Sequence, residues 1–187
     1  MPLTTSVYLM ELADAKIAQM TADSGSSPTY SSSVDVQGVV KIGISPKVEN
    51  KKLYGDNKLL DIWSKTTEVE VDVECAVLSL DAMKIIQGGS VTASGTSPNQ
   101  KQTYSLKGND AAPGYFKIEG QWLYPGSGVG DVHIVLYKVK VTEPPSYEVQ
   151  GADGNFGTVR FKGIAIPCLS NNNWYDVVIN ETATPIS

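Results

Sequence analysis

Residues 66–77 read Thr66-Thr67-Glu68-Val69-Glu70-Val71-Asp72-Val73-Glu74-Cys75-Ala76-Val77. Glu68, Glu70, Asp72 and Glu74 alternate with Val69, Val71, Val73 and Cys75. A period of two specifies a strand with one apolar and one acidic face. Same-face neighbours stand ~6.6 Å apart. Their repulsion is ~0.6 kcal/mol per pair in water and ~2.5 kcal/mol at an effective dielectric of 20. Three such pairs in a dry interior would cost about 7 kcal/mol, comparable to a whole domain's stability. The acidic face therefore meets water or cations. A solvated sheet face is the plain explanation, with Lys117, Lys138 and Lys140 as candidate cross-strand partners.

Outward from this strand, the chain reads as mainly β. Residues 39–45 form a strand with Val40, Ile42 and Ile44 on one face and Pro46 near its end. Residues 47–66 show no clean period and read as a long polar connection containing Tyr54-Gly55-Asp56-Asn57. A connection of that length is often functional. Residues 78–87 read as a short helix, with Ser79 as N-cap, Asp81 in the first turn and Gly88-Gly89 as the stop. Leu80, Met83 and Ile86 would pack inward, Leu80 and Met83 foremost.

Residues 90–113 are loop-rich, with a strand at 103–106. A hairpin follows. Its first strand, 115–124, aligns Phe116, Ile118, Gly120, Trp122 and Tyr124; its second, 132–142, puts His133, Val135, Tyr137, Val139 and Val141 opposite Ile134, Leu136, Lys138 and Lys140. Residues 125–131 are its turn, and Pro144-Pro145 ends it. Residues 147–150 and 158–166 suggest a further pair, and 174–179 a last strand before a loose tail after about 180. Residues 7–20 suit either a strand or a helix, and 24–33 are a polar loop. The expected architecture is a single domain over 1–187, a β-sandwich or distorted barrel with one short flanking helix.

Composition narrows the chemistry. A net charge of −5 over 187 residues argues against general nucleic-acid binding, although an acidic surface suits letting DNA pass without sticking. Cys75 and Cys168 are far apart with no CxxC pair; two cysteines allow one disulfide, and buried free thiols are the favoured reading given the apolar company of Cys75. No apolar run is long enough to span a membrane. Gly126-Ser127-Gly128-Val129-Gly130 lacks the Lys-Ser/Thr of a phosphate loop. Asp153-Gly154-Asn155 lacks the acidic residue a calcium loop needs at Ile164. One histidine and no cysteine pair give no zinc site. His133 lies in an apolar strand without a nucleophile elbow, so no catalytic set, metal or cofactor is expected.

The order of these pieces resembles the major tail tube protein of long-tailed, non-contractile bacteriophages. That family carries a VKI-like strand, a TLYADN-like stretch, an acidic alternating strand and a short helix. The counterparts are Val40-Lys41-Ile42, Lys52-Leu53-Tyr54-Gly55-Asp56-Asn57, Glu68 to Cys75, and the helix after Ser79. A PYFA-like strand, an LYKGKF-like hairpin strand, a proline and a G-x-A-x-P element follow in the family. Here these are Pro113-Gly114-Tyr115-Phe116, Leu136-Tyr137-Lys138-Val139-Lys140-Val141, Pro144, and Gly163-Ile164-Ala165-Ile166-Pro167. The segment before Val39 departs from the pattern, and Gly55 stands where alanine is common.

The resemblance implies a structural protein without catalysis, six copies to a ring, with rings stacked into the conduit for genome delivery. Glu68, Glu70, Asp72 and Glu74 would face the lumen. Leu53, Tyr54, Gly55, Asp56, Asn57 and Trp63 would belong to an arm, residues 51–65, reaching the adjacent ring. Implied partners are further copies of the chain, a tape measure protein, tail terminator and tail tip proteins, and phage DNA in passage without specific binding, with no membrane. The implied location is the virion tail, after assembly in the host cytoplasm. Alternatives are a head decoration protein, a contractile-system tube protein, or a carbohydrate-binding β-sandwich using Trp63, Trp122 and Trp174 as stacking platforms.

Overall fold

The computed structural model describes residues 6–7, 11–77, 79–124, 129–147 and 157–186. Among them are eleven strands and one helix. The turn expected at 125–131 is described only from Val129. Residues 148–150, the Asp153-Gly154-Asn155 stretch, Leu78 and residues 8–10 lie outside the described residues.

The organising strand is β9 (Asp131–Tyr147). Along one edge it pairs with β8 (Phe116–Leu123). Along the other it pairs first with β11 (Tyr175–Asn180) and then with β10 (Val159–Ala165). Beyond β8 lies β1 (Leu12–Ala22), edged by the short β2 (Thr29–Tyr30) and β3 (Val34–Asp35). Beyond β10 lie β5 (Lys58–Cys75) and β4 (Val39–Gly55). Every pairing is antiparallel, so one sheet of nine strands runs through the molecule.

That sheet folds over on itself. Val69, Val71 and Val73 of β5 and Phe161 of β10 share one apolar cluster with Ile17 of β1, Phe116 and Ile118 of β8, and Leu136 and Val139 of β9. The Phe116 and Phe161 ring centroids lie 6.5 Å apart. At the base of β4, Ile42 sits where a side chain at Gly120 of β8 would be. The halves thus close into a sandwich with barrel character. The helix α1 (Leu80–Gln87) covers one flank through Ala82, Met83, Ile85 and Ile86. The Ser79 hydroxyl accepts from Ala82 N, Asp81 lies in the first turn, and Gly88, at φ +80, ends the helix. Leu80 is only partly buried. A second cluster gathers Trp122, Val129 and Val132 with Leu12, Tyr124 and Ile179.

Several expectations need correction. Residues 47–66 are no loop but the outer halves of β4 and β5, closed by Asp56-Asn57 with φ of 49° and 59°. Positive φ at both central residues gives a two-residue turn matching the twist of its strands, and Asp and Asn tolerate it. Pro46 does not end β4, because β4 is an edge strand on which a missing N–H is harmless. A register shift between Val39 and Lys41 turns Val40 outward while Ile42 and Ile44 stay on the core.

Pro144-Pro145 likewise fails to end β9. Both prolines stand opposite Phe161 alone, between the Glu143–Lys162 and Ser146–Arg160 pairs, in a bulge that absorbs their missing donors. The strict alternation expected along β9 breaks at another shift. Phe116 pairs with Val139 but Ile118 with Leu136, so Leu136 and Val139 both reach the core. Residues 90–105 hold a hairpin, β6 (Ser90–Ser94) with β7 (Lys101–Ser105), where one later strand was expected. Residues 7–20 resolve in favour of strand from Leu12 on. The tail after residue 180 is not loose: Ile186 is buried at 2% exposure.

Gly163 sits where β10 approaches β9 so closely that an added Cβ would lie 2.8 Å from the Lys140 carbonyl oxygen. Backbone cannot yield as a flexible side chain can. Gly163→Ala is therefore expected to lower stability by about 1–3 kcal/mol. Urea unfolding would register this as a lower midpoint at unchanged slope, and an unaltered midpoint would contradict the close approach.

Candidate functional site

Two features stand out: a charged sheet face and a ribbon that leaves the sheet. The charged face lies on the outside of β5, whose valines fill the core. Its register sets Lys41 opposite Glu74, Ser45 opposite Glu70 and Lys47 opposite Glu68 on the β4 side. On the β10 side, Arg160 stands opposite Glu74 and Lys162 opposite Asp72. The four carboxylates thus share one face as the alternation requires.

Their partners are not Lys117, Lys138 or Lys140. Arg160 grips Asp72 with two hydrogen bonds of 2.7 Å, from Nε and Nη2, and Lys41 adds a third at 3.0 Å. Lys47 meets Glu70 at 3.0 Å, and Lys162 meets Glu143 of β9 at 2.9 Å. The Arg160 guanidinium and then Lys41 hold the Asp72 carboxyl down to about 2, against the opposing effect of burial. Glu68, Glu70, Asp72, Glu74 and Glu143 face Lys41, Lys47, Arg160 and Lys162, so the face is mixed in sign with a small acidic excess. Gly43 contributes no side chain opposite Asp72. There the face dips into a depression of about 430 Å³ bordered by Lys41, Ser45, Glu70, Asp72, Glu143 and Lys162.

The displaced lysines have other work. Lys138 turns into the interior and bonds Asp23 at 2.6 Å, with both side chains buried. Burial would raise the Asp23 pKa, but the Leu169 N–H and Lys138 outweigh it and bring it to about 2. Lys117 pairs with buried Glu119 at 2.9 Å. His133 is buried too, on a polar patch rather than an apolar one, with Nε2 3.0 Å from Asp131. Cys75 and Cys168 are buried and unpaired, and burial pushes both thiols up. No cluster of three metal-ligating side chains exists among the described residues.

The ribbon begins where β10 stops. Val69 pairs with Ala165, and beyond it β5 pairs with β4 alone. From Lys47–Glu68 to Gly55–Lys58 the two strands run on for about 30 Å. Both faces meet solvent. Val48, Leu53, Tyr54, Leu59, Leu60, Ile62 and Trp63 are all exposed, Tyr54 by 64%. The ribbon holds itself together by local means. Ser64 Oγ donates to Asn50 Oδ1 at 2.6 Å, and the Lys51 ammonium lies 5.3 Å from the Trp63 ring centroid. Leu60 packs over Gly55, where a Cβ would come within 2.6 Å of Leu60 Cδ1, so alanine does not fit there without movement. The ribbon, residues 47–68, carries five lysines and four carboxylates on a chain whose net charge is −5.

All six expected arm residues therefore lie on this ribbon. The tryptophans do not form a common platform. Trp122 is buried at 8% exposure, Trp174 packs against the main core, and only Trp63 is exposed. No helix among the described residues is long and apolar enough to cross a membrane. No protein-family model matches the chain, and no curated protein matches it.

The depressed Asp72 pKa fixes a sign. A carboxyl held below its unfolded value of about 3.9 contributes stability that is complete above that value and is lost as pH falls from about 4 to about 2. The side chain keeps some exposure, so after solvent screening the contribution is about 1 kcal/mol. Asp72→Asn should remove it at neutral pH and flatten the acid limb of a stability–pH profile. A limb of unchanged steepness in the variant would show that Asp72 is not its source.

Proposed function

We propose that the chain is a structural subunit that assembles with copies of itself, ring upon ring, into a bacteriophage tail tube. The observation that carries this reading is the ribbon. An isolated two-stranded hairpin is marginal in water, and this one offers seven large apolar side chains to solvent. Each such side chain releases roughly 1.5–3 kcal/mol on full burial. A surface of this kind fits contact with another chain. A second copy is the favoured occupant: the ribbon is net basic, the chain as a whole is net acidic, and the sequence resemblance points to an inter-ring arm. Tape measure, terminator and tip proteins are then the partners within the virion tail.

In this reading the charged face of β5 lines the bore. Five carboxylates against four cations leave it hydrated and weakly acidic, which holds phosphate off without strong repulsion. Replacing Glu68, Glu70, Asp72 and Glu74 by their amides would leave Lys41, Lys47 and Arg160 uncovered, with Lys162 still paired to Glu143. Assembled particles should then retain DNA and deliver it poorly, more so at low salt. Changing the four cations to Gln as well should restore passage. Normal delivery by both variants would remove the bore assignment.

A carbohydrate-binding module is disfavoured by the burial of Trp122. Negative-stain electron microscopy across a concentration series tests the assembly itself. Hollow rings or tubes are expected from the native chain. Leu53→Lys with Leu60→Lys should leave thermal unfolding unchanged while abolishing stacking. Long tubes formed by that double variant would dismiss the ribbon as the stacking contact.

A further inference from the structure

Residues 181–186 follow β11 and turn back across the sheet face made by β1, β8 and β9. They join no ladder, yet they lie in a built groove. At its floor is Asp131, which has no exposed surface. Its carboxylate accepts from Asn180 Nδ2 at 2.8 Å, Gln121 Nε2 at 2.5 Å and the main-chain N–H of Thr184 at 2.8 Å. Gln121 Nε2 also donates to the Thr184 carbonyl at 3.0 Å. Both main-chain groups of residue 184 are thus gripped. Two residues on, the Lys16 ammonium takes the Ile186 carbonyl at 2.6 Å, and the Ile186 side chain is swallowed. Between β11 and this anchor, the chain runs over Gly130. A Cβ there would overlap the Thr182–Ala183 peptide.

The grip falls on main-chain atoms and one aliphatic side chain, which is how a groove recognises an extended peptide. Residues 181–185 are otherwise exposed, so the strap is held by the main-chain bonds at Thr184 and Ile186 and by one buried side chain. Short terminal segments of this kind can open locally without global unfolding. We propose that this groove is a peptide-recognition site, and that in assemblies it is filled by residues 181–186 of a neighbouring copy. An identical element exchanged between copies makes the same contacts in trans as in cis, which makes exchange a low-cost route to association. This inference rests on the self-assembly reading above and adds a second contact to it, remote in sequence from the ribbon.

The test uses full-length chains. One copy carries Leu123→Cys and a size tag; the other carries Thr184→Cys. Leu123 is exposed and stands opposite Asp131 without gripping the strap, so Gln121, Asp131 and the Ile186 anchor stay in place, as do the two buried native thiols. The copies are mixed, and a short bis-maleimide is added. Exchange predicts a hetero-crosslinked pair. That pair should vanish when Gly130→Ala is added to the Leu123→Cys copy, because the strap can no longer pass over residue 130. Two results overturn the proposal: crosslinking confined within single chains of a Leu123→Cys, Thr184→Cys double variant, or a hetero-crosslink that survives Gly130→Ala. The tube reading is judged separately on the same samples. A groove-dependent hetero-crosslink in a small closed species upholds strap exchange while rejecting the tube, whereas tubes with straps crosslinked only in cis reject the exchange alone.

Discussion

The hydrogen-bond ladder along β9 is the interaction on which the rest of the molecule depends. This strand is long enough to serve β8 on one edge and both β11 and β10 on the other. Because it is shared, the two halves of the sheet can fold over each other and enclose one core without a separate crossover between them. The same sharing forces its irregularities. A long strand twists continuously, and its pairings shift register opposite Lys117 and at Pro144-Pro145. The first shift puts Val139 in place of Lys138 on the core face, and Lys138 pairs with Asp23 on the other. The second lets two prolines stand inside a ladder.

The excursion between β10 and β11 has a comparable effect on β5. Ala165 is the last residue of β10 to pair with it, at Val69. From that point the β4–β5 pair has no third strand, and it becomes a ribbon. The ribbon and the core strand are therefore one continuous element under two regimes. Inward of Val69, one face is dry and the other wet; outward of it, both are wet.

That change of regime explains what the sequence could and could not reveal. The alternation of residues 68–75 was legible because burial of one face imposes a period of two. Residues 47–66 are equally β, but nothing is buried on either side of them, so no period is imposed. The turn at Asp56-Asn57 was the available signal, since an Asp/Asn pair between strands suits positive φ at both positions. Pro46 and Pro144-Pro145 misled because a proline's meaning depends on whether its strand lies at an edge or a bulge, which is a property of the assembled sheet. The side of the sheet taken by the four carboxylates was readable locally. Their partners were not: Lys41, Lys47 and Arg160 are brought to them by register alone. Asp131 gave even less warning, because its importance lies in a segment some fifty residues away in the chain.

The exposed ribbon and the strap-filled groove bear differently on how the chain would associate. The ribbon presents apolar side chains with mixed charge on an extended frame, so a partner gains from burying it without having to match a rigid cavity. The groove at Asp131 presents main-chain recognition already filled in cis, so a partner gains nothing net until the resident strap leaves. In the proposed assembly the first contact requires only an encounter at sufficient concentration; the second becomes favourable only when copies are held close enough for exchange to be intramolecular in effect. An assembly built on both would be ordered in time. Ribbon docking would come first and raise the local concentration of straps, and exchange would then lock copies already in register. A chain with only the ribbon would risk indiscriminate aggregation, as exposed strand pairs do. A chain with only the strap would have no reason to exchange it. The coexistence of an open contact and a closed one is what a subunit needs if it is to stay separate when dilute and become committed once placed.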